Sequence, residues 1–260
     1  MSMKFQLLSK GQYKNIPDKL TIGRIPTVSE LDYVSGDEFD RTLIDVVLPA
    51  AVEEKINFND LLEVDYQLLC RAVRIANFGP YHTVNVILCD SCGTSHRGEY
   101  QVDLTTIECV PLPDKFTNEF KISKDEFVDF NSTIIFKLPT IQKILNAHKD
   151  KAFQLADGRI NRELARICYM ISEVGSASGL TPVEIKLKIE TELSAADYKL
   201  LKGAIQDSAD FGLRAGGRAT CPECADPNAA FISISEDRYF RPTLDNLRKW
   251  KQSRTTSTPK

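Results

Sequence analysis

Two Cys-x-x-Cys pairs constrain this chain more than any other feature: Cys89 and Cys92 in ILCDSCGTSH, and Cys221 and Cys224 in RATCPECADP. Thiolates at this spacing on a tight turn can face one metal ion. Two such turns supply the four sulfurs of a closed tetrahedral Zn²⁺ site, with turn N–H groups stabilising the sulfur charge. Four protein ligands leave no open position for water, so the expected role of the zinc is structural. The pairs lie far apart in sequence, unlike those of a small zinc finger. The metal is therefore expected to tie remote segments together inside a domain. A redox dithiol is the poorer fit, because such a pair sits at a helix N-terminus, whereas these cysteines neighbour β-rich segments and Gly turns.

The chain carries 33 basic and 36 acidic side chains, a formal net charge of -3, which offers no overall electrostatic case for nucleic acid or an anionic membrane. The opening MSMKFQLLSKGQYKN lacks the apolar stretch of a secretory leader, and no later run approaches bilayer length. A cytosolic protein with no membrane partner is expected. In that compartment seven cysteines read as thiols and ligands rather than a disulfide framework. Cys70, Cys109 and Cys168 lie among apolar neighbours and read as core packing.

Five segments follow from pattern. Residues 1–57 form a β-rich arm, with short β-prone runs in KFQLL, KLTIGRIPTV and RTLIDVVLPAAV and an acidic loop around Asp37, Glu38 and Asp40. Residues 58–138 hold a helix and the first half of a zinc ribbon. Leu61, Leu62, Val64, Leu68, Leu69, Ala72, Val73 and Ile75 recur at helical spacing behind Asn59 as N-cap, and the helix is expected to end near Gly79-Pro80. Tyr81–Leu88 then reads as the strand into the first knuckle, Arg97–Val110 as its return, and Ile134–Phe136 as a further strand.

Residues 139–212 read as a helical insertion. A short helix follows Pro139, and Ile160, Leu164, Ile167 and Ile171 place one stripe on a second helix over Arg159–Val174. The linker GSASG follows. Thr181-Pro182-Val183-Glu184 is a capping box with proline at N1, and Ser194-Ala195-Ala196-Asp197 signals another helix start. Residues 213–242 supply the second ribbon half, reached through the flexible GLRAGG and closed by a strand at Phe231–Ser235; residues 243–260 are a basic flexible tail. The fold class is α+β: a zinc-ribbon-like β module assembled from two distant knuckles, with an inserted helical subdomain.

No phosphate loop, G-x-S-x-G elbow, H-E-x-x-H or paired catalytic carboxylates occur, and GLRAGG lacks the Lys-Ser/Thr of a P-loop, so no enzymatic activity is expected. His96 could replace a thiolate, but four cysteines already complete the site, and it reads as an exposed ribbon residue. The alternative function is a zinc-ribbon nucleic-acid binder using Arg241, Arg248, Lys249, Trp250, Lys251 and Arg254. The overall acidity weighs against it.

The order of VDYQLLCRAVRIANFG, VNVILCDSCG, GEYQVDLTTIECVPLP, IIFKLPT, LTPVE, LSAAD, TCPEC and YFRP resembles the T4-type bacteriophage baseplate hub family of contractile-tail phages, over residues 50–245. The resemblance implies a non-enzymatic part in assembling the central hub, as a chaperone-like assembly factor or as a hub component. It implies hub or tape-measure proteins as partners, and a place in the host cytoplasm during assembly or in the virion's tail baseplate. Ala225-Asp226-Pro227 departs from the family, which usually has Gly or a similar turn former after the second knuckle. The first fifty residues and those beyond Trp250 have no counterpart in it. Oligomeric state, copy number and partner identity do not follow from the sequence.

Overall fold

The computed structural model describes residues 3–9, 12–25, 42–208, 211–213, 217–227, 230–232, 248, 249, 251 and 252. Its elements are mixed α and β, arranged in small antiparallel sheets, and the chain divides into two compact units. One unit comprises residues 1–56, 64–112 and 212–260; the other comprises residues 57–63 and 113–211.

In the first unit, β1 (Met3–Gln6) pairs antiparallel with β2 (Lys19–Ile22). The next segment departs from the expected β-prone run. Leu43–Val47 winds as a π turn that continues into α1 (Leu48–Ala51). Leu43, Ile44, Val47, Leu48 and Ala51 are all buried, at spacings that share a face only on a helix. That period prevailed over the β-branched composition. Leu48 N–H donates the last bond of the π turn, to the Leu43 carbonyl, and Pro49, which has no N–H, does not extend that ladder. Gly23 N–H then donates to the Ala51 carbonyl at 2.7 Å, and Ile22 bridges Val52.

Helix α2 (Glu63–Phe78) begins four residues later than its expected cap. Asn57 caps a 3-10 turn at Phe58–Asp60 instead. Within the second unit Leu61 accepts from Ile141 N–H at 2.9 Å, and Leu62 bridges Thr140, which holds both residues extended. The helix stops where expected: Gly79 takes φ +79 before Pro80. In the first unit, buried Asp65 on α2 accepts the N–H groups of Leu8 and Ser9 and the hydroxyls of Ser9 and Tyr13. These bonds fasten the N-terminal segment to the helix.

Strands β3 (Tyr81–Cys89) and β4 (Thr94–Asp103) form the long hairpin of this unit. Val84 and Ile87 are three apart and would face opposite sides of a regular strand. The register shifts between Val84 and Val86, and both side chains enter one buried cluster with Val102 and Ala219. β5 (Cys109–Val110) pairs outside this sheet.

The second unit is not purely helical. β6 (Phe120–Ile122), β7 (Ile134–Phe136), β8 (Ile171–Val174) and β9 (Ala177–Ser178) form a four-stranded antiparallel sheet in chain order. It is joined by α3 (Ile141–Lys149), α4 (Arg162–Met170), α5 (Pro182–Glu192) and α6 (Ala195–Ser208). The stripe expected on one helix over 159–174 is split. Asn161 caps α4, and the chain turns extended at Ile171, where Ile134–Phe136 offers a strand to pair with. The expected linker GSASG is a hairpin turn: Val174 pairs with Ala177, and Gly175 takes φ +63 between them.

The capping box at Thr181 forms as read, with Glu184 returning to the Thr181 N–H at 2.8 Å. Phe136, Phe153, Cys168 and Leu201 lie in the core of this unit, with Phe120 stacked on Phe136 at 5.1 Å. Cys168 therefore packs as expected, and Cys70 is buried in the first unit. Asp197 is buried beneath the second unit's surface and accepts the N–H groups of Val128, Asp129 and Phe130. Burial opposes its ionisation, but these donors and the Ser194 hydroxyl outweigh it and hold the carboxyl below its usual range.

The chain returns to the first unit at β10 (Gly212–Leu213), which pairs antiparallel with β5. Gly212 and Leu213, which open GLRAGG, are therefore part of a strand pair. Gly212 takes φ +86, and a Cβ there would lie 3.1 Å from the Val64 Cβ. β11 (Gly217–Ala219) and β12 (Ala230–Ile232) extend the hairpin into a sheet of order β11-β12-β3-β4. The expected closing strand is met at Ala230–Ile232. Residues 233–235, the YFRP segment and most of the basic tail, including Arg241, Trp250 and Arg254, lie outside the described residues.

Candidate metal centre

The four expected ligands converge although the two pairs come from separate chain segments of the first unit, residues 64–112 and 212–260. Cys89 ends β3 and Thr94 begins β4, so the first pair occupies the hairpin turn. Antiparallel pairing of Ala230 with Cys89 brings the second pair alongside. All four Sγ atoms lie within 4.8 Å of one another. Across the pairs, Cys89 Sγ is 3.5 Å from Cys224 Sγ, and Cys92 Sγ is 3.8 Å from Cys221 Sγ. A tetrahedral site with metal–sulfur bonds of about 2.3 Å has sulfur–sulfur edges of about 3.8 Å. None of the seven cysteines is in a disulfide, whose sulfurs would be about 2.05 Å apart. The donor set and its spacing fit a Zn²⁺-sized thiophilic ion.

Each turn also has the backbone that thiolate ligation requires. Cys89 Sγ accepts from the Cys92 N–H, and Cys92 Sγ from the Thr94 N–H. In the second turn Cys221 Sγ accepts from the Cys224 and Glu223 N–H groups, and Cys224 Sγ from the Asp226 N–H. The two turns repeat one pattern, down to the residue after the second cysteine: Gly93 has φ +67 and Ala225 has φ 55. Ala225 is the only non-glycine with positive φ among the described residues. Two backbone bonds brace its turn, Ala225 N–H to the Cys221 carbonyl at 3.0 Å and Cys221 N–H to the Asp226 carbonyl at 3.1 Å. Ser91 Oγ donates to Asp226 Oδ2 at 2.7 Å, linking the turns directly.

Cys89 and Cys221 are buried, while Cys92 and Cys224 are exposed. Their acidities do not follow that division. Burial pushes the Cys89 thiol up to about 12. For Cys221 the Cys224 N–H leads the opposing effects and brings the thiol down to about 7. His96 beside Cys92 lowers that thiol as well. For Cys224 the Asp226 N–H pulls downward, yet the neighbouring Cys221 thiol leaves it raised on balance.

His96 contradicts its reading as an exposed ribbon residue. It pairs with Ile87 across the hairpin and is buried, with Nε2 3.4 Å from Cys221 Sγ and 3.9 Å from Cys92 Sγ. Its Nδ1 lies 4.0 Å from Glu223 Oε1. The signal available in the sequence was its place four residues after Cys92, on a strand whose inward phase is set only once β3 and β4 are in register.

No protein-family model matches the chain, and no curated protein or solved structure is similar enough to count as a match. Among the described residues, no helix is long and apolar enough to cross a membrane.

Proposed function

We propose that this chain is a non-enzymatic assembly protein whose first unit is a zinc-ribbon-like module held by one structural Zn²⁺ on Cys89, Cys92, Cys221 and Cys224. The observation that carries the metal reading is the convergence of two turns with matching N–H-to-sulfur patterns and sulfur separations of 3.5 and 3.8 Å. Zinc would supply charge neutralisation and a crosslink there, and a closed set of four thiolates leaves it no catalytic position. The protein's own residues do the rest. Turn N–H groups orient the sulfurs, Ser91 and Asp226 join the turns, and His96 covers one sulfur edge.

The proposed biological role is assembly of the baseplate central hub of a contractile-tail phage, as a chaperone-like factor or hub component. It rests on the order of sequence motifs and on no structural likeness. Its test is a phage lacking this chain: tails should stall without a hub, and co-purification should recover a hub or tape-measure protein. Normal tails would refute the role while leaving the metal site standing. A nucleic-acid role fits the knuckles poorly. Residues 89–96 and 219–227 contain Asp90, Glu223 and Asp226 but no Lys or Arg, and a four-thiolate zinc site is itself net negative. The turns themselves offer no cation to a phosphate, although Arg97 and Arg218 flank them, and a salt-dependent gel shift should be negative.

A further inference from the structure

Cys92 belongs to two donor groups. Besides the four sulfurs, Cys92, His96 and Glu223 present ligand atoms that all lie within 4.8 Å of one another. A thiolate, an imidazole and a carboxylate together are a zinc donor set of the kind that keeps an open fourth position. The separations are close to those needed. Adjacent nitrogen and sulfur corners of a tetrahedral zinc site are about 3.6 Å apart for bonds of about 2.05 and 2.3 Å. His96 Nε2 stands 3.9 Å from Cys92 Sγ and 3.4 Å from Cys221 Sγ, over the edge between the two sulfurs. Glu223 Oε1 lies 4.0 Å from Nδ1, the other ring nitrogen, and its side chain is 61% exposed, so the carboxylate would have to swing towards Nε2 to share an ion with Cys92.

Cys92 and Glu223 face solvent, as does Cys224, while His96 is buried with Cys89 and Cys221. The space beside this edge is open: a Cβ added at Gly93 would meet nothing within 4 Å. Charge points the same way. Four thiolates around one divalent ion leave a net negative centre, and Glu223 adds to it, so a second cation is drawn to this side. A thiolate sulfur has lone pairs for two metals.

We propose that Cys92, His96 and Glu223 form a second, outer binding site for a divalent zinc-like cation, sharing the Cys92 sulfur with the four-cysteine centre. This site rests on the metal reading of that centre. It completes its coordination with water, exchanges readily with solvent and is the weaker of the two.

The test is a zinc titration of the full chain followed by native mass spectrometry, with His96→Ala and Glu223→Gln alongside the wild type. The wild type should take up one ion tightly and a second in excess zinc. Both variants should keep the first ion and bind the second at least about tenfold more weakly, the lower end for loss of a group that supports a metal site. Glu223→Gln changes one exposed side chain, so a folding defect in His96→Ala does not compromise the result. A wild type that stops at one ion overturns the outer site and leaves the four-cysteine centre intact. A second ion that persists equally in both variants is adventitious and also overturns it. A wild type that binds no zinc refutes the four-cysteine centre itself, and the outer site with it.

Discussion

Replacing Ala225 by glycine should stabilise this protein, although it removes a side chain and loosens the unfolded backbone. Ala225 occupies φ 55, the region its counterpart Gly93 occupies at φ +67. A left-handed conformation costs an L-residue roughly 1–2 kcal/mol. Against this, glycine loses more conformational freedom on folding, roughly 0.5–1 kcal/mol relative to alanine. Taking mid-range values of both, the net gain for Ala225→Gly is about 0.5–1 kcal/mol. Because the strain is released in the turn that presents Cys221 and Cys224, metal affinity should rise about two- to fivefold, taking about 1.4 kcal/mol per factor of ten. The melting temperature should rise by about 1–4 °C for a chain of this size. The reciprocal change, Gly93→Ala, meets no atom within 4 Å, so its effect is purely conformational and should be destabilising by about 1 kcal/mol. Denaturant unfolding and chelator competition on both variants measure these quantities. Ala225→Gly that destabilises, or Gly93→Ala that is neutral, would refute the equivalence of the two turns.

Cys89→Ser and Cys221→Ser should each release the metal and loosen the first unit. The sulfurs close a loop of 129–135 residues, and constraining a loop of that length is worth about 5 kcal/mol in the chain-entropy account. Chelation should lower unfolding stability by a similar amount, and an unchanged denaturation curve would contradict it. Metal affinity should climb with pH through the Cys221 value of about 7 and go on rising above it, since ligation must displace thiol protons, above all from Cys89; a flat isotherm series would count against thiolate ligation. Gly212→Ala should cost about 2 kcal/mol or more in denaturant unfolding, because φ +86 and the Val64 contact at 3.1 Å both oppose it; a neutral result would refute a fixed pivot there. The depressed Asp197 carboxyl stabilises the fold above its usual range near 3.8 and loses that contribution as pH falls through its lower folded value. Asp197→Asn should therefore be less stable at neutral pH and show a weaker acid transition, and an unaltered acid limb would contradict this.

What could be read from sequence was what acts locally. The Cys-x-x-Cys spacing, the Thr181 box with Pro182, and the stop at Gly79-Pro80 each declare their geometry within a few residues, and all three are met. Where tertiary partners decide, the pattern misled. Ile171 continues a helical stripe in sequence, yet β7 recruits it as a strand. Leu43–Ala51 is rich in β-branched residues, yet its buried positions fall at helical spacing. His96 and Asp197 owe their importance to what is brought against them from more than sixty residues away, which no local window contains. Gly175 and Gly212 looked like flexible punctuation, but each holds a defined left-handed turn.

The most direct test of the account is the metal content of purified, untagged protein, compared by mass spectrometry under native and denaturing conditions. One zinc per chain should be retained at limiting metal, lost on denaturation, and absent from Cys89→Ser and Cys221→Ser. A chain that carries no metal and presents four alkylatable thiols at Cys89, Cys92, Cys221 and Cys224 while folded would contradict it.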